Sequence, residues 1–356
     1  MHRPLSLPMT RELLRWLQAD AAWTRLPLGR RASLHWQAGL GTVNTRLARL
    51  NAPADSGQEL LDPVLVLGPW RSGTTVMHEL LAAASGLATP RTWQCMNATA
   101  FVTQAAPGRA TAAGTVARPM DGLEVHALSP QEDEFALLSL GADSAYRGFL
   151  MPHRLAELAP TLSQAHWLAD TQWLPVWERF LADVLRCTPQ GRQPLLLKSP
   201  NHSFRLAAIL RRFPRTRGVW MLRDATAVYH SNLKMWRTMF ARYGLTTPAP
   251  GDLEAFIAQA LHAYAEVLTD HADAFARGPW ALVQQDRLRR EPQAAVREVF
   301  ARLQLPDSID EKALAAAVAA TAPGREDRYT ASVPPAAQAA IRALDTVQRH
   351  VFGLTA

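Results

Sequence analysis

The run Val64-Leu65-Val66-Leu67-Gly68-Pro69-Trp70-Arg71-Ser72-Gly73-Thr74-Thr75-Val76-Met77-His78-Glu79-Leu80-Leu81 decides how the rest of the chain is read. Its first four residues are β-branched or leucine, the composition of a strand buried on both faces in a parallel sheet. Gly68 and Gly73 frame a tight loop. Val76, Leu80, Leu81 and Ala84 then recur at helical spacing. A strand, a glycine loop and a helix N-terminus together present backbone N–H groups to an anion. The anion expected here is the 5′-phosphate of a nucleotide.

The loop nearly fits the ATP-binding pattern G-x-x-x-x-G-K-[ST], with Gly68, Gly73 and Thr75 in register. Thr74 stands where that pattern needs the lysine that reaches the β- and γ-phosphates. A P-loop kinase or NTPase is therefore the weaker alternative. The loop's cation is Arg71 instead. In this P-x-R-S-G-T-T form the loop resembles the 5′-phosphosulfate loop of sulfotransferases, which bind 3′-phosphoadenosine 5′-phosphosulfate (PAPS).

Further units repeat the strand-then-helix pattern. Leu195-Leu196-Leu197 ends in Lys198-Ser199-Pro200-Asn201-His202 and precedes a helix through Leu206, Ile209 and Leu210. Val219-Trp220-Met221-Leu222 ends in Arg223-Asp224 and precedes a helix through Tyr229, Ser231 and Trp236. Trp280 to Val283 reads as a fourth strand, with a helix over 293–303 after it. Such alternation implies an α/β fold, a P-loop-type parallel sheet flanked by helices. Ligands bind at the carboxyl ends of strands in such sheets. Arg71, Lys198 and Arg223 all fall at or just past a strand end, so three cations meet at one sheet edge.

One domain is expected over 1–356: a helical N-terminal layer (1–61), a P-loop core (62–305) and a helical C-terminal segment (306–356). In the first layer Leu13, Leu14, Trp16 and Leu17 share faces, and Leu34, Trp36, Leu40, Val43 and Leu47 continue the apolar pattern. Residues 51–63 read as a turn-rich connector, 118–122 as a turn and 323–327 as a loop. Ser129, Pro130 and Glu132 have the spacing of a helix-starting capping box. Single helices are expected over 161–187 and 252–275, the former carrying Trp167, Trp173 and Trp177 as core residues.

Several motifs now stand in order. The chain is identified as resembling the bacterial-type branch of the sulfotransferase family, which carries R-S-G-T-T, P-Q-E-D-E, L-K-S-P-x-H and R-D-P-x-x-x-x-x-S segments. Here these are Arg71–Thr75, Pro130–Glu134, Leu197–His202 and Arg223–Ser231. The resemblance runs from about residue 62 to residue 305. It implies that Arg71, Ser72, Gly73, Thr74 and Thr75 hold the 5′-phosphosulfate, and that Arg223 and Ser231 hold the 3′-phosphate. Lys198 would neutralise the leaving oxygen. The base that takes the acceptor's proton would be His202 or a carboxylate of 132–134, with Glu132 the named candidate. Gln94 occupies the region where tyrosine-type relatives carry a glutamate, and a glutamine cannot be a base. Ala225 replaces the proline after Arg-Asp. The reaction would be sulfuryl transfer to a hydroxyl or amine, without a metal.

Composition narrows the remaining classes. The 356 residues are 48% hydrophobic and 19% charged, as in ordinary globular proteins. No apolar run is long enough to span a membrane. Charges at Arg3, Arg11, Glu12, Arg15 and Asp20 are wrong for a signal peptide. Cys95 and Cys187 fit no metal or redox spacing, so free thiols in a reducing cytoplasm are expected. The formal charge is +7, yet no basic run or zinc spacing favours nucleic acid. Local positive charge also suits a multiply anionic co-substrate. Lysine occurs only at 198, 234 and 312, so Lys198 stands out in an arginine-using chain. The acceptor, a small molecule or a glycan or lipid, is not encoded in any motif, nor is the oligomeric state.

Overall fold

A computed structural model describes residues 9–51, 59–104, 106–108, 114–118, 124–188, 193–305, 309–321 and 332–352. The expected turn at 118–122, but for Arg118, and the loop at 323–327 lie outside them, as does the middle of the 51–63 connector.

Two helices come first, α1 (Arg11–Gln18) and α2 (Leu28–Asn51), followed by strand β1 (Val64–Leu67) and α3 (Thr74–Ser85). The short α4 (Thr92–Cys95) and a small antiparallel pair, β2 (Val116–Ala117) with β3 (Glu124–Val125), precede α5 (Glu134–Ser139). Next are α6 (Leu155–Leu158), α7 (Gln164–Ala169), α8 (Trp173–Arg186), β4 (Leu196–Lys198) and α9 (Leu206–Arg212). Then β5 (Arg217–Leu222) leads into α10 (Ala225–Tyr243), α11 (Asp252–Asp270) and α12 (Ala272–Arg277). The chain closes with β6 (Trp280–Gln284), α13 (Gln285–Arg290), α14 (Pro292–Leu303), α15 (Glu311–Ala320) and α16 (Pro335–Phe352).

The main sheet has four parallel strands in the order β4-β1-β5-β6. Val66 pairs with Lys198, Leu67 with Trp220 and Leu222 with Gln284, so the carboxyl ends of the strands form one edge. Alternation across the pleat sorts the two cores. Val64, Val66, Val219 and Met221 face a layer formed by Met77, Leu80 and Leu81 of α3, Val296 and Val299 of α14, and Leu314 of α15. Leu65, Leu67, Trp220 and Leu222 face the larger core, which holds Trp236, Phe256 and Tyr264.

Three expectations need correction. The 161–187 helix is two helices, α7 and α8, because the Asp170 side chain accepts the Gln172 N–H (2.8 Å) and caps the break. The 252–275 helix ends at Asp270, with His271 as the hinge into α12. Trp167, Trp173 and Trp177 are core residues as read from the sequence. The apolar residues of α2 do not share one buried face: Leu34 and Ala38 point inward, whereas Trp36, Leu40, Val43 and Leu47 point to solvent.

Strand β5 is crowded on both sides at Gly218. A Cβ there would lie 2.5 Å from the Leu65 carbonyl oxygen and 2.8 Å from the Trp280 ring. Gly218→Ala is expected to cost about 1–3 kcal/mol by overpacking. Gly39, inside α2 with nothing within 4 Å of its Cβ position, is the control. There alanine should add roughly 0.5–1 kcal/mol by helix propensity. Urea midpoints moving in opposite directions are the expected result; a neutral Gly218→Ala would refute the crowding argument.

Candidate active site

The loop after β1 keeps its shape through residues that lack or hide their side chains. Gly68 has φ +129°, and a Cβ there would sit 2.6 Å from the Met221 carbonyl oxygen. Gly73 is left-handed (φ +92°) at the N-terminus of α3. Arg71 also adopts φ +70°, which costs a non-glycine residue on the order of 1 kcal/mol and must be offset by its surroundings. The offset centres on Trp70. Its indole donates to Asn201 Oδ1 (3.0 Å), its backbone N–H to the Tyr264 hydroxyl (3.2 Å), and its carbonyl accepts from Asn232 Nδ2 (3.0 Å). The ring is buried against Phe204, Trp236, Phe256 and Tyr264. Ser72 is buried, and its hydroxyl donates to the Pro69 carbonyl (2.7 Å), so it holds the loop from within. Gly73 supplies no side-chain cap, and the first-turn amides of α3 have no intrahelical acceptor. That is the arrangement an anion completes.

Arg71, Ser231 and Arg223 come together beside this loop. Arg71 Nε donates to Ser231 Oγ (3.1 Å), and Arg223 Nη1 to the Arg71 carbonyl oxygen (2.5 Å). Helix α16 backs the same corner: Gln348 Oε1 accepts from the Arg223 N–H (3.3 Å), and Asp345 Oδ1 accepts from the Ala225 N–H (3.1 Å). The last bond uses the donor that a proline at position 225 would lack.

Lys198 stands across the loop, wholly buried, with Nζ 3.4 Å from Thr75 Oγ1 and 2.5 Å from Glu132 Oε1. Arg118, just past β2, donates to the same Thr75 hydroxyl (3.1 Å). Tyr146 donates to the other oxygen of Glu132 (2.8 Å). Burial pulls the Lys198 ammonium below its ordinary value; Glu132 opposes this and Arg118 adds to it.

The acidic run is not a helix cap. Helix α5 begins at Glu134, and residues 129–131 pair in extended form with 90–92, through Thr92 N–H to Ser129 O (2.9 Å) and Gln131 N–H to Pro90 O (2.9 Å). Ser129 Oγ accepts from His126 rather than from its own following turn. Each carboxylate takes a different basic side chain from the end of β4 and the segment that follows it. Glu132 takes Lys198, Asp133 takes His202 (2.8 Å) and Glu134 takes both terminal nitrogens of Arg205. Asp133 also accepts from the Trp177 indole (2.7 Å). Arg205 stacks on Trp167, 4.1 Å from its centroid. Burial raises the Asp133 and Glu134 carboxyls, but His202 and Arg205 outweigh it and hold both below the carboxylate range. His202 is thus enclosed between Asp133 and Trp177, away from solvent. Gln94 is buried too, and its side chain accepts the Arg91 N–H (2.8 Å) to cap α4.

The structure therefore brings Arg71, Ser72, Gly73, Thr74, Thr75, Lys198, Glu132, Arg223 and Ser231 to one sheet edge, and sets His202 behind them. Sequence reading missed Arg118, Tyr146, Arg205 and Gln348, which arrive from distant segments. Only Arg205 left a signal, three residues after His202 as a third cation opposite a third acid. Among the described residues no group of His, Cys, Asp or Glu could hold a metal ion.

A model described as the sulfotransferase family matches residues 63–310, well over half the chain. The chain belongs to the sulfotransferase family. Two mycobacterial proteins, from Mycobacterium bovis and Mycobacterium tuberculosis, are each named omega-hydroxy-beta-dihydromenaquinone-9 sulfotransferase Stf3. Each is 26% identical over 245 residues, 64% of this chain and 62% of theirs. This sulfotransferase-family chain thus aligns with under two thirds of those relatives' length. Its fold matches sulfotransferase STF9 from Mycobacterium avium (TM-score 0.63, 18% identity, 99% of both chains). It also matches STF1 from M. tuberculosis (TM-score 0.56, 17% identity, 96% of this chain and 90% of that one).

Two outcomes follow from the buried charges. Glu134→Gln leaves Arg205 enclosed without its counter-charge and is expected to cost about 3–5 kcal/mol by chemical denaturation. His78 is buried in α3 with Nε2 bonded to the Thr89 hydroxyl (2.7 Å). Burial, with Lys198 and Arg91 adding to it, depresses its imidazole to about 3. The unfolded chain binds that proton near pH 6.5, about the ordinary histidine value, and the folded chain does not. Stability must then fall as pH drops below about 6.5, by up to about 1.4 kcal/mol per unit. His78→Gln should flatten that slope between about pH 6.5 and 5, and an unchanged slope would refute the assignment.

Proposed function

We propose that the chain transfers a sulfuryl group from PAPS to an acceptor hydroxyl, releasing adenosine 3′,5′-bisphosphate (PAP). One observation carries the reading. Arg71, Arg118, Lys198 and Arg223 converge on a glycine loop whose helix amides await an anion, and the loop lacks the lysine of an ATP site. A donor with charge at both its 5′ and 3′ ends fits two separated cation groups. Lys198, Arg118 and Thr75 take the 5′ end, while Arg71, Arg223 and Ser231 take the 3′ end, with the guanidinium of Arg71 shared between them.

Chemistry of this kind needs positioning and charge stabilisation rather than covalent help from the protein. The acceptor oxygen forms a bond to sulfur as the bond from sulfur to the bridging phosphate oxygen breaks. The electron pair goes to that oxygen, where Lys198 stabilises it. The acceptor's proton goes to Glu132. Because Glu132 is also the partner of Lys198, its protonation frees the ammonium for the leaving oxygen as charge develops there. Tyr146 orients the carboxylate. His202 is a positioning residue in this scheme: it fixes Asp133 and so the neighbouring Glu132.

The similarity to proteins named for an ω-hydroxy menaquinone derivative supports an apolar alcohol as the acceptor class. The cytoplasm is the proposed compartment, in keeping with Cys95 and Cys187 both being free thiols.

A thermal-shift titration with PAP, against ADP and ATP with and without Mg²⁺, tests the donor site. At a hundred times its dissociation constant a ligand adds about 2.7 kcal/mol. Stabilisation by PAP without metal, abolished in Arg223→Ala, is expected; stabilisation by ATP-Mg²⁺ alone would overturn the reading. In a transfer assay Glu132→Gln should lose roughly 10²–10⁴-fold in kcat while still binding PAP. If His202→Asn shows that loss with its fold intact and Glu132→Gln does not, the base is misassigned.

A further inference from the structure

We infer that the outward face of α2 is a docking surface for an anionic lipid bilayer. The helix is apolar on two opposite sides. Its inner side packs through Leu34 and Ala38. Its outer side exposes Trp36 (69%), Leu40 (48%), Val43 (54%) and Leu47 (53%). At about 100° per residue these four lie within about 60° of one another, opposite Leu34 and Ala38. Large side chains scattered singly on a surface need no explanation, whereas a continuous stripe of four on one helix does.

Charge says what covers the stripe. Between Asp20 and Asp55 the sequence holds Arg25, Arg30, Arg31, Arg46 and Arg49 and not one acidic residue. Arg25 and Arg46 are exposed. Asp20, the nearest acid before the helix, is committed to His153 (3.1 Å) and Arg154 (3.5 Å). A helix with an apolar stripe, a tryptophan in that stripe and exposed arginines beside it, here Arg25 and Arg46, lies in the plane of an anionic bilayer, its stripe among the acyl chains and those arginines at the headgroups. A second copy of the chain fits less well. Pairing two such helices would set arginine against arginine with no carboxylate between them. The helix is 24 residues long, about 36 Å, and lies flat. No helix among the described residues is long and apolar enough to cross a membrane, so the contact is peripheral.

The position suits an enzyme with a lipid acceptor, a point that rests on the proposed function. Helix α1 packs on α2 and on α5, and the Thr10 hydroxyl beside α1 donates to the Ser139 carbonyl at the end of α5. Helix α5 carries Glu134, next to Glu132. The bilayer surface and the proposed base therefore belong to one connected layer.

Co-sedimentation of the full chain with vesicles tests the inference, using mixed phosphatidylglycerol and phosphatidylcholine against phosphatidylcholine alone. Binding to the mixed vesicles that weakens with salt is expected. Trp36→Ser with Leu40→Ser should lower partitioning roughly tenfold or more. Arg25→Gln with Arg46→Gln should weaken binding to the anionic vesicles. Both variants should keep the wild-type melting temperature and the PAP-induced shift, which separates loss of docking from loss of the donor site. Absence of vesicle binding by the wild-type chain overturns the inference. So does a dimer in sedimentation equilibrium that the Trp36/Leu40 variant dissolves while vesicles never bind.

Discussion

Three consecutive carboxylates, Glu132, Asp133 and Glu134, meet three basic side chains, Lys198, His202 and Arg205, and the proposed catalytic face depends on that pairing. Burying six ionisable groups is expensive, and ion pairs in a core seldom repay their desolvation. What they supply is register. Each acid bonds a different basic partner, so the start of α5 and the end of β4 with the segment after it are held in one alignment. Glu134 is bonded at both oxygens, by Arg205, Ser144 and Ser199, whereas Asp133 holds His202 and Trp177 through Oδ2 alone. They act as fixed pins. Glu132, at the mouth end of the same row, holds Lys198 at the loop while keeping its contact with Tyr146.

The glycine loop depends on a second anchor of opposite character. Trp70 is an apolar stake whose three polar bonds tie the loop to the segment after β4, to α10 and to α11. Arg71 can then be held left-handed with its carbonyl on Arg223 and its guanidinium on Ser231. A strained residue at an anion site is stable only when its neighbours over-determine it. Here the neighbours are the proposed ligands of the 3′ end, so the shape of the 5′ site is coupled to theirs.

The parts of this architecture legible in the sequence are the local ones. A four-residue apolar strand, a glycine loop and a periodic helix are written contiguously, and parallel strands put their ends on one edge without further information. Pairings that join distant segments are not written that way. Ser129-Pro130-Gln131-Glu132 satisfies a capping pattern by spacing, but Glu132 has a better partner 66 positions away and the helix starts later. His202 is a base candidate through the resemblance, as a histidine soon after Lys198, yet Asp133 and Trp177 enclose it. In α2, a period of 3.6 identifies the helix and cannot say that one of its two apolar sides is exposed.

Position 225 shows the same limit from the other direction. The proline expected after Arg-Asp would fix the turn by itself. Alanine leaves a free N–H at the entrance of α10, and an unpaired donor there would weaken the corner that orients Arg223. Asp345 accepts it, and Gln348, one turn further along α16, accepts the N–H of Arg223 itself. Burial raises the Asp345 carboxyl, the Ala225 N–H pulls it back, and nearby Asp224 adds to the rise. The C-terminal helix is thereby part of the candidate anion site's support rather than an appendage. A residue that reads as a lost rigid turn becomes, with its partner in place, a joint between the core and the last helix.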